Sequence, residues 1–176
     1  MIVIQVLLFF LAISYLCLLL FYAWAFKKTP IYSTRLATNQ LPPLTVIVPA
    51  RNEAANIVAC LNGIAQQQYP THQLHLIVID DHSTDATPQL VRQFIEQNPQ
   101  VNAQLLLLVK HLPPNTSINS YKKKALEVAI AHAKTNWIVT TDADCIARSR
   151  LWLATLMDFA LTQNAVFVTA PVLFSP

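Results

Sequence analysis

Two pairs of carboxylates stand directly after short apolar runs of this sequence. Asp80 and Asp81 follow the run LIVI, and Asp142 and Asp144 follow the run WIVTT. Short runs rich in β-branched residues predict strands that are buried on both faces. Carboxylate oxygens suit hard cations such as Mg²⁺ or Mn²⁺, which proteins often hold through one or two carboxylates together with substrate phosphates. These residues therefore indicate a site that binds a divalent cation and an anionic ligand.

The two pairs are expected to meet at one edge of a sheet. In open α/β sheets, ligands bind beyond the carboxyl ends of the strands. Residues i and i+2 of an extended segment project to the same side, so Asp142 and Asp144 are expected to face one ligand. Taken alone, Asp81 and Asp85 are equally compatible with shaping a turn and capping the next helix. Several acids beyond one sheet edge would repel each other without a bound cation, which favours the binding interpretation.

Three consecutive lysines begin the predicted helix before the second acid pair. They are Lys122, Lys123 and Lys124. Cations are disfavoured at a helix N-terminus, where the backbone dipole is positive. A solvated helix end would need no function for them, but a bound phosphate group would offset that cost. We expect at least one of the three to contact an anionic ligand.

The composition limits the classes of protein that this chain can represent. Its 176 residues suffice for one globular domain with a core. Only 12% of the residues are charged, the net charge is +3, and the lysines lack interleaved aromatic residues, so no nucleic-acid partner is expected. Cys17, Cys60 and Cys145 fit neither a disulfide framework nor a zinc site, which predicts free thiols.

The apolar residues are concentrated between Ile2 and Phe26. About 25 helical residues at about 1.5 Å each span roughly 37 Å, enough to cross a hydrocarbon layer of about 30 Å. The length of the run and the lack of preceding positive charge favour a retained anchor over a cleaved signal peptide. Because Lys27, Lys28 and Arg35 follow the run, the positive-inside rule predicts a single pass through the inner (cell) membrane with the remainder in the cytoplasm. The predicted segments are an anchor over residues 1–28, a linker over residues 29–43 and a globular part over residues 44–176.

Strands alternate with helices along the globular part. This alternation predicts right-handed crossovers and an α/β architecture with a largely parallel sheet and flanking helices. The first helix is expected to be capped by Asn52, and Thr87 with Pro88 is expected to open the second. The predicted strands are Leu44–Val48, Leu76–Ile79, Leu105–Val109, Trp137–Thr141 and Val166–Ala170, and the later predicted helices are Thr87–Glu96, Lys122–Thr135 and Arg150–Leu161.

Four segments together resemble a known family. They are VPARNEAANI at 48–57, DDHSTDAT at 80–87, YKKKALEVAI at 121–130 and TTDADC at 140–145. In this order, they look like the nucleotide-binding half of a family 2 glycosyltransferase, of the membrane-anchored bacterial kind with the GT-A (Rossmann-like) fold. The resemblance covers the chain from about Leu44 onwards. It implies an inverting transfer of sugar from a nucleotide-diphosphate sugar, with a UDP-sugar as the expected donor and Mg²⁺ or Mn²⁺ as cofactor, to an unidentified glycan or lipid acceptor.

The resemblance implies a nucleoside-binding role for residues after the first two strands. Pro49, Arg51 and Glu53 match the motif that lines the nucleoside pocket. Asp80 and Asp81 match the acidic pair near the base, with Asp81 as the expected uracil contact.

The resemblance implies a diphosphate-binding role for residues before and after the fourth strand. At least one lysine of the group, Lys122 or Lys123 foremost, matches the lysine near the donor. Asp142 and Asp144 match the D-x-D motif and are the expected metal ligands. Asp144 is the main ligand in this assignment, and Asp142 lies nearer the ribose.

The sequence also departs from the family pattern. His82 and Ala86 stand where the family often has glycine, so this loop is expected to form without positive φ angles there. The family's catalytic base is an acceptor-side acid well downstream of the D-x-D motif, followed by a Q-x-x-R-W-type motif, and neither precedes Pro176. The chain is therefore expected to be a donor-binding half, a fragment or truncated product, with no catalytic base of its own.

Three other functions compete with this interpretation. A sugar nucleotidyltransferase would carry a glycine-rich loop after its first strand, and Ala50–Glu53 contains no glycine. A receiver-like signalling domain would need an acidic phosphoacceptor after its third strand, where Val109–His111 has none. A catalytically inactive, membrane-anchored module that only binds nucleotide stays compatible with the sequence.

Overall fold

The computed structural model describes residues 2–28, 32, 40–112 and 120–172, which fall into two compact units. The first unit contains helix α1 (Ile2–Lys28), which has no buried residue and ends on Lys27 and Lys28. By length and composition α1 could cross a membrane; an N-terminal signal sequence can meet the same criteria of length and composition. Most of the predicted linker, residues 29–31 and 33–39, lies outside the described residues.

The second unit is an α/β domain. Its elements alternate along the chain as the apolar pattern predicts, which confirms the predicted fold class. The strands are β1 (Leu44–Ala50), β2 (Leu74–Asp80), β3 (Asn102–Leu107) and β4 (Trp137–Thr140), and the helices are α2 (Ile57–Ala65), α3 (Thr87–Gln97), α4 (Tyr121–His132) and α5 (Trp152–Thr162).

The four strands form one parallel sheet in the order β3-β2-β1-β4. The chain adds β2 and β3 on one side of β1 and then crosses to place β4 on the other side. This reversal of strand order is the topological switch point, where open α/β sheets bind ligands at the carboxyl ends of the strands. The loops after β1 and β4 therefore flank the expected binding position.

Two hydrophobic layers cover the two faces of the sheet. Val46 and Val48 of β1 point into a core shared with α2, α3 and α5, whereas Ile47 points into a second core with Ala125 and Ala129 of α4. Successive side chains of a strand alternate between faces, so a strand covered on both faces is apolar at almost every position, and the buried Thr45 of β1 is hydrogen-bonded to Thr135. This explains the continuous apolar runs that predict β1 and β2. Leu41, within the predicted linker, is buried in the first core.

Several predicted boundaries are wrong. The segment Val166–Ala170 forms no strand, and Val166 and Phe167 are 97% and 81% exposed. A short apolar run becomes a strand only when another strand offers its hydrogen-bonding edge, and no described strand pairs with this segment. The third strand spans Asn102–Leu107, because Leu108–His111 turns into a 3₁₀ helix.

The predicted cap of the first helix is also wrong. The cap position of α2 is Asn56, and Asn52 instead adopts a left-handed φ of 55° in the loop before the helix. Asparagine tolerates this conformation better than most residues with a side chain. Asn52 therefore shapes the turn after β1, and α2 begins five residues later than its predicted cap.

Candidate functional site

A cleft of about 440 Å³ lies beyond the carboxyl ends of the sheet. It gathers side chains from the loops after β1, β2 and β4 and from the start of α4. These are segments distant in sequence, and they meet at the switch point of the sheet. The lining residues are Pro49, Ala50, Arg51, Glu53, Asp81, Tyr121, Lys122, Asp142, Ala143 and Asp144.

Hydrogen bonds tie the loop after β1 to the loop after β2. The Asn52 N–H donates to Ser83 Oγ at 2.9 Å, and Asn52 Oδ1 accepts from the Thr84 N–H at 2.8 Å. The Glu53 N–H donates to Thr87 Oγ1 at 2.8 Å. These bonds satisfy loop backbone groups that have no strand partner, and they hold Glu53 beside the cleft.

Asp85 has the structural role that its sequence position allows. Its Oδ2 accepts from the Ala54 N–H at 3.0 Å, and its Oδ1 accepts from the Thr87 N–H and hydroxyl. The hydrogen bond from the Thr87 hydroxyl is the main reason that the pKa of Asp85 is lowered below its usual range. Asp85 therefore holds the loops together rather than lining the cleft.

The carboxylate of Asp81 lies in the wall of the cleft. Its N–H donates to the Ala50 carbonyl at 2.8 Å, which continues the ladder between β1 and β2 by one residue. Its Oδ1 lies 2.9 Å from His82 Nδ1, and its Oδ2 lies 3.9 Å from Arg51 Nη1. The side chain of Asp81 is only 8% exposed. Asp81 is thus a buried acceptor with a guanidinium beside its second oxygen.

Asp80 and Lys123, both predicted to bind the donor, do not line the cleft. Asp80 is buried, its Oδ2 accepts from the Ser83 N–H at 3.2 Å, and its buried Oδ1 has no hydrogen-bond partner among the described residues. Lys123 is exposed and donates its backbone N–H to the capping hydroxyl of Ser120. A donor contact by either residue stays a prediction.

Of the three lysines, only Lys122 lines the cleft. Lys122 Nζ lies 2.8 Å from Asp142 Oδ1, whereas Lys124 pairs outside the cleft with Glu127 at 2.9 Å. The reason is the rotation of α4, because Ala125 and Ala129 face the sheet and the residue three positions before Ala125 shares that side.

The D-x-D segment is not extended. The Cys145 N–H donates to the Asp142 carbonyl at 3.1 Å and closes a turn just after β4. Ala143 is buried in this turn, while Asp142 and Asp144 are exposed. Both carboxylates line the cleft, and a turn rather than strand pleating places them there; their contact with one ligand stays a prediction.

The charge of the cleft favours a cation. Four carboxylates (Glu53, Asp81, Asp142 and Asp144) face two basic groups (Arg51 and Lys122), which leaves a formal charge of −2.

The D-x-D carboxylates fit an oxygen-liganded ion. Asp142 Oδ1 accepts from Lys122, and Asp144 Oδ1 accepts from the Cys145 thiol at 3.7 Å. The other oxygen of each carboxylate, Oδ2, accepts no hydrogen bond within the described part of the chain. No group of three histidine, cysteine or carboxylate side chains there is arranged to hold a metal ion. The two carboxylates would therefore need further oxygen ligands, which a diphosphate provides.

Two aromatic residues at the site, Tyr121 and His82, were not among the predicted site residues. Tyr121 lines the cleft, and its ring meets that of His82 edge to face at 5.3 Å between centroids. The expectation of a loop without positive φ angles is wrong for His82, whose φ is 56°, and correct for Ala86, whose φ is −76°. The local signal for Tyr121 was its position directly before the lysines.

Known proteins share this sequence pattern and fold. The chain is 44% identical over 57 residues to glycosyltransferase AglE of Haloferax volcanii, covering 32% of this chain and 19% of that protein. Mannosyltransferase PcManGT from Pyrobaculum calidifontis, solved with GDP-Man and Mn²⁺, is 33% identical with a TM-score of 0.64, covering 80% and 39% of the two chains. Staphylococcus aureus TarS 1-349, solved with UDP, is 26% identical with a TM-score of 0.52, covering 68% and 33%.

The match to a family extends over most of the globular unit. The chain spans less than a third of the length of the curated relatives that it matches. A family profile described as "Glycosyl transferase family 2" matches residues 45–175. This range contains β2, β3, β4, all of β1 except its first residue Leu44, and every residue that lines the cleft. The chain belongs to glycosyl transferase family 2.

Proposed function

We propose that this chain supplies the donor-binding part of a glycosyltransferase that uses a nucleoside-diphosphate sugar. A UDP-sugar is the expected donor, and the acceptor is a glycan or a lipid. The observation that carries the proposal is the convergence of Asp81, Lys122 and the D-x-D carboxylates on one cleft at the switch point of the sheet. The relatives solved with UDP and with GDP-Man and Mn²⁺ support a nucleotide ligand of this kind.

The nucleoside is assigned to the side of the cleft formed by the loops after β1 and β2. Asp81 offers a buried acceptor and Arg51 a donor, which together complement a nucleobase edge carrying an N–H beside a carbonyl. Pro49 and Glu53 line the same side. This division follows from the ion contacts, because Arg51 lies beside Asp81 whereas Lys122 pairs with Asp142.

The diphosphate is assigned to the side formed by Lys122 and the D-x-D turn. Lys122 contributes a charged donor, and Asp142 and Asp144 would hold Mg²⁺ or Mn²⁺. When bound there, the cation would neutralise the diphosphate oxygens as the bond to the sugar breaks. Without it, an anionic ligand would enter a cleft of formal charge −2, which Coulomb repulsion opposes. We assign no catalytic base among the residues that line the cleft.

We further propose that α1 anchors the protein in the cell membrane and that the α/β domain with the cleft faces the cytoplasm. The support is the apolar length of α1 and the position of Lys27 and Lys28 after it. The proposal takes the nucleoside-diphosphate sugar to be supplied from the cytoplasm. In this orientation the cleft and its donor lie in the same compartment.

The test is calorimetry of UDP binding to the full chain in detergent, with and without Mn²⁺. We expect tight binding only with the metal, and weak binding of Mn²⁺ without nucleotide, because the cation needs ligands from both. Asp144→Asn should lower the metal-dependent affinity about 10-fold or more, about 1.4 kcal/mol. Glu127→Gln, which removes an exposed carboxylate outside the cleft, is the matched control. Equal metal-dependent binding by wild type and Asp144→Asn would contradict the assignment of the cation site.

A further inference from the structure

His82 adopts a backbone conformation that residues with a side chain rarely adopt. Its φ is 56°, in the left-handed region that favours glycine. The histidine follows Asp81 directly and contacts two residues that line the cleft, Asp81 and Tyr121. A strained residue persists where surrounding contacts hold it, and such residues cluster at functional sites. The contacts of His82 therefore indicate which interactions this strained backbone conformation makes possible.

The imidazole of His82 is hydrogen-bonded to one oxygen of the Asp81 carboxylate. His82 Nδ1 lies 2.9 Å from Asp81 Oδ1, and an ionised carboxylate only accepts, so Nδ1 carries the hydrogen and donates. Arg51 Nη1 lies 3.9 Å from the other oxygen, Oδ2, which is beyond hydrogen-bond distance. Among the described residues Oδ2 thus accepts no hydrogen bond, and a guanidinium donor lies beside it.

Tyr121 holds the imidazole in this orientation. The two rings meet edge to face, with centroids 5.3 Å apart and an interplanar angle of 80°. This is the geometry that aromatic pairs prefer. Tyr121 begins α4, directly before Lys122, and lines the cleft itself. The pair therefore connects the loop that carries Asp81 to the helix that carries the cleft lysine.

We propose that His82, held by Tyr121, is a positioning residue that competes for Oδ1 of Asp81, leaves Oδ2 as the favoured acceptor and so selects uracil over guanine. This inference rests on the proposed function of the cleft. Uracil presents a single N3–H between two carbonyl oxygens, which matches Asp81 Oδ2 with Arg51 beside it. Guanine presents adjacent N1–H and N2–H donors, which match both oxygens of a carboxylate. Because His82 Nδ1 already donates to Oδ1, the second guanine donor would have to compete with the imidazole for that oxygen.

The test compares the affinities of UDP and GDP, each with Mn²⁺, for the full chain in detergent. We expect wild type to bind UDP at least about 10-fold more tightly than GDP. His82→Gly suits the positive φ and frees Oδ1, so it should remove most of this preference. His82→Asn tolerates the same φ and keeps an N–H donor, so it should retain most of the preference.

The role of Tyr121 is tested in the same measurement. Tyr121→Phe keeps the edge-to-face contact and should leave the ratio of the UDP and GDP affinities unchanged. Tyr121→Ala frees the imidazole and should reduce the ratio. A merely structural role for the pair would weaken both nucleotides equally and leave the ratio as it is.

The outcomes separate this inference from the proposed function. If wild type binds GDP as tightly as UDP, or if His82→Gly leaves the ratio unchanged, the inference is wrong and the nucleotide site stands. If wild type binds neither nucleotide in the presence of Mn²⁺, the proposed function fails and the inference fails with it.

Discussion

The sulfur of Cys60 lies 3.6 Å from the backbone carbonyl oxygen of Asp142 and donates to it. Cys60 is buried in α2, and the same carbonyl accepts from the Cys145 N–H. The helix that follows β1 thus supports the turn that carries both D-x-D carboxylates. Gly63 of α2 allows a close approach to the next segment, because a Cβ at that position would lie 3.3 Å from the backbone nitrogen of Ala147.

The stability of the domain should fall in alkali partly because of Cys60. Burial, and next the charges of Cys145 and Asp144, raise the pKa of Cys60 from 9.0 to about 12. The folded state keeps the proton that the unfolded chain releases above about pH 9. The contribution of the thiol to stability is therefore complete below pH 9 and is lost as the pH rises towards 12.

Cys60→Ala tests this expectation. The variant should melt at a lower temperature than wild type at pH 7, because it leaves a small cavity, but its melting temperature should decline less between pH 9 and pH 11. Circular dichroism of the full chain in detergent measures both. Burial also raises the pKa of Tyr69, which is present in both proteins, so the difference between them isolates the thiol. Parallel curves over this pH range would contradict the role of Cys60.

The stability of the domain should fall in acid partly because of Asp85. Its pKa is lowered from 3.8, chiefly by the hydrogen bond from the Thr87 hydroxyl. The stabilisation is therefore present above about pH 4 and is lost as the pH falls below that value. Asp85→Asn should lower the melting temperature at pH 7 and flatten its decline between pH 5 and pH 3. Glu96→Gln, which changes an exposed carboxylate of α3, is the control and should keep the wild-type decline.

The affinity for a nucleoside diphosphate should depend on Lys122 and not on Lys124. Lys122→Met removes the lysine side chain that lines the cleft and leaves Asp142 without that partner. We expect UDP affinity with Mn²⁺ to fall about 10-fold or more, in line with about 1.5–3 kcal/mol for a hydrogen bond to a charged group. Lys124→Met, on the same helix but paired with Glu127, should change it little. Calorimetry on both variants measures the contrast. Equal losses would show that the lysines act only through general charge.

The topology of the chain should follow the charges at the end of α1. A cytoplasm-only reporter fused after Pro43 should be active, and a periplasm-only reporter at the same position should be inactive. Replacing Lys27 and Lys28 by Gln should reduce this bias. The intact mass of the isolated protein should include residues 1–28. A mature N-terminus beyond α1 would instead identify the segment as a cleaved signal sequence.

The sequence by itself determined the parallel sheet and the edge at which the site forms. Apolar runs such as Leu76–Ile79 are covered on both faces, and this requirement is visible in the residue types alone. The second and fourth predicted strands are each followed at once by acids, and the ends of parallel strands meet at one edge of the sheet. The positions of Asp81 and Asp142 at that edge could therefore be predicted without coordinates.

The tertiary structure alone decided which predicted residues share the cleft. Asp80 and Asp81 are adjacent, yet only Asp81 lines it, because the loop after β2 turns back to bond Asp80 through Ser83. Likewise, the strained φ of His82 depends on contacts with residues that lie far away in sequence, Tyr121 among them. A local pattern specifies which element a residue belongs to. The direction in which its side chain points depends on long-range packing and hydrogen bonds, which form only when the whole sheet is assembled.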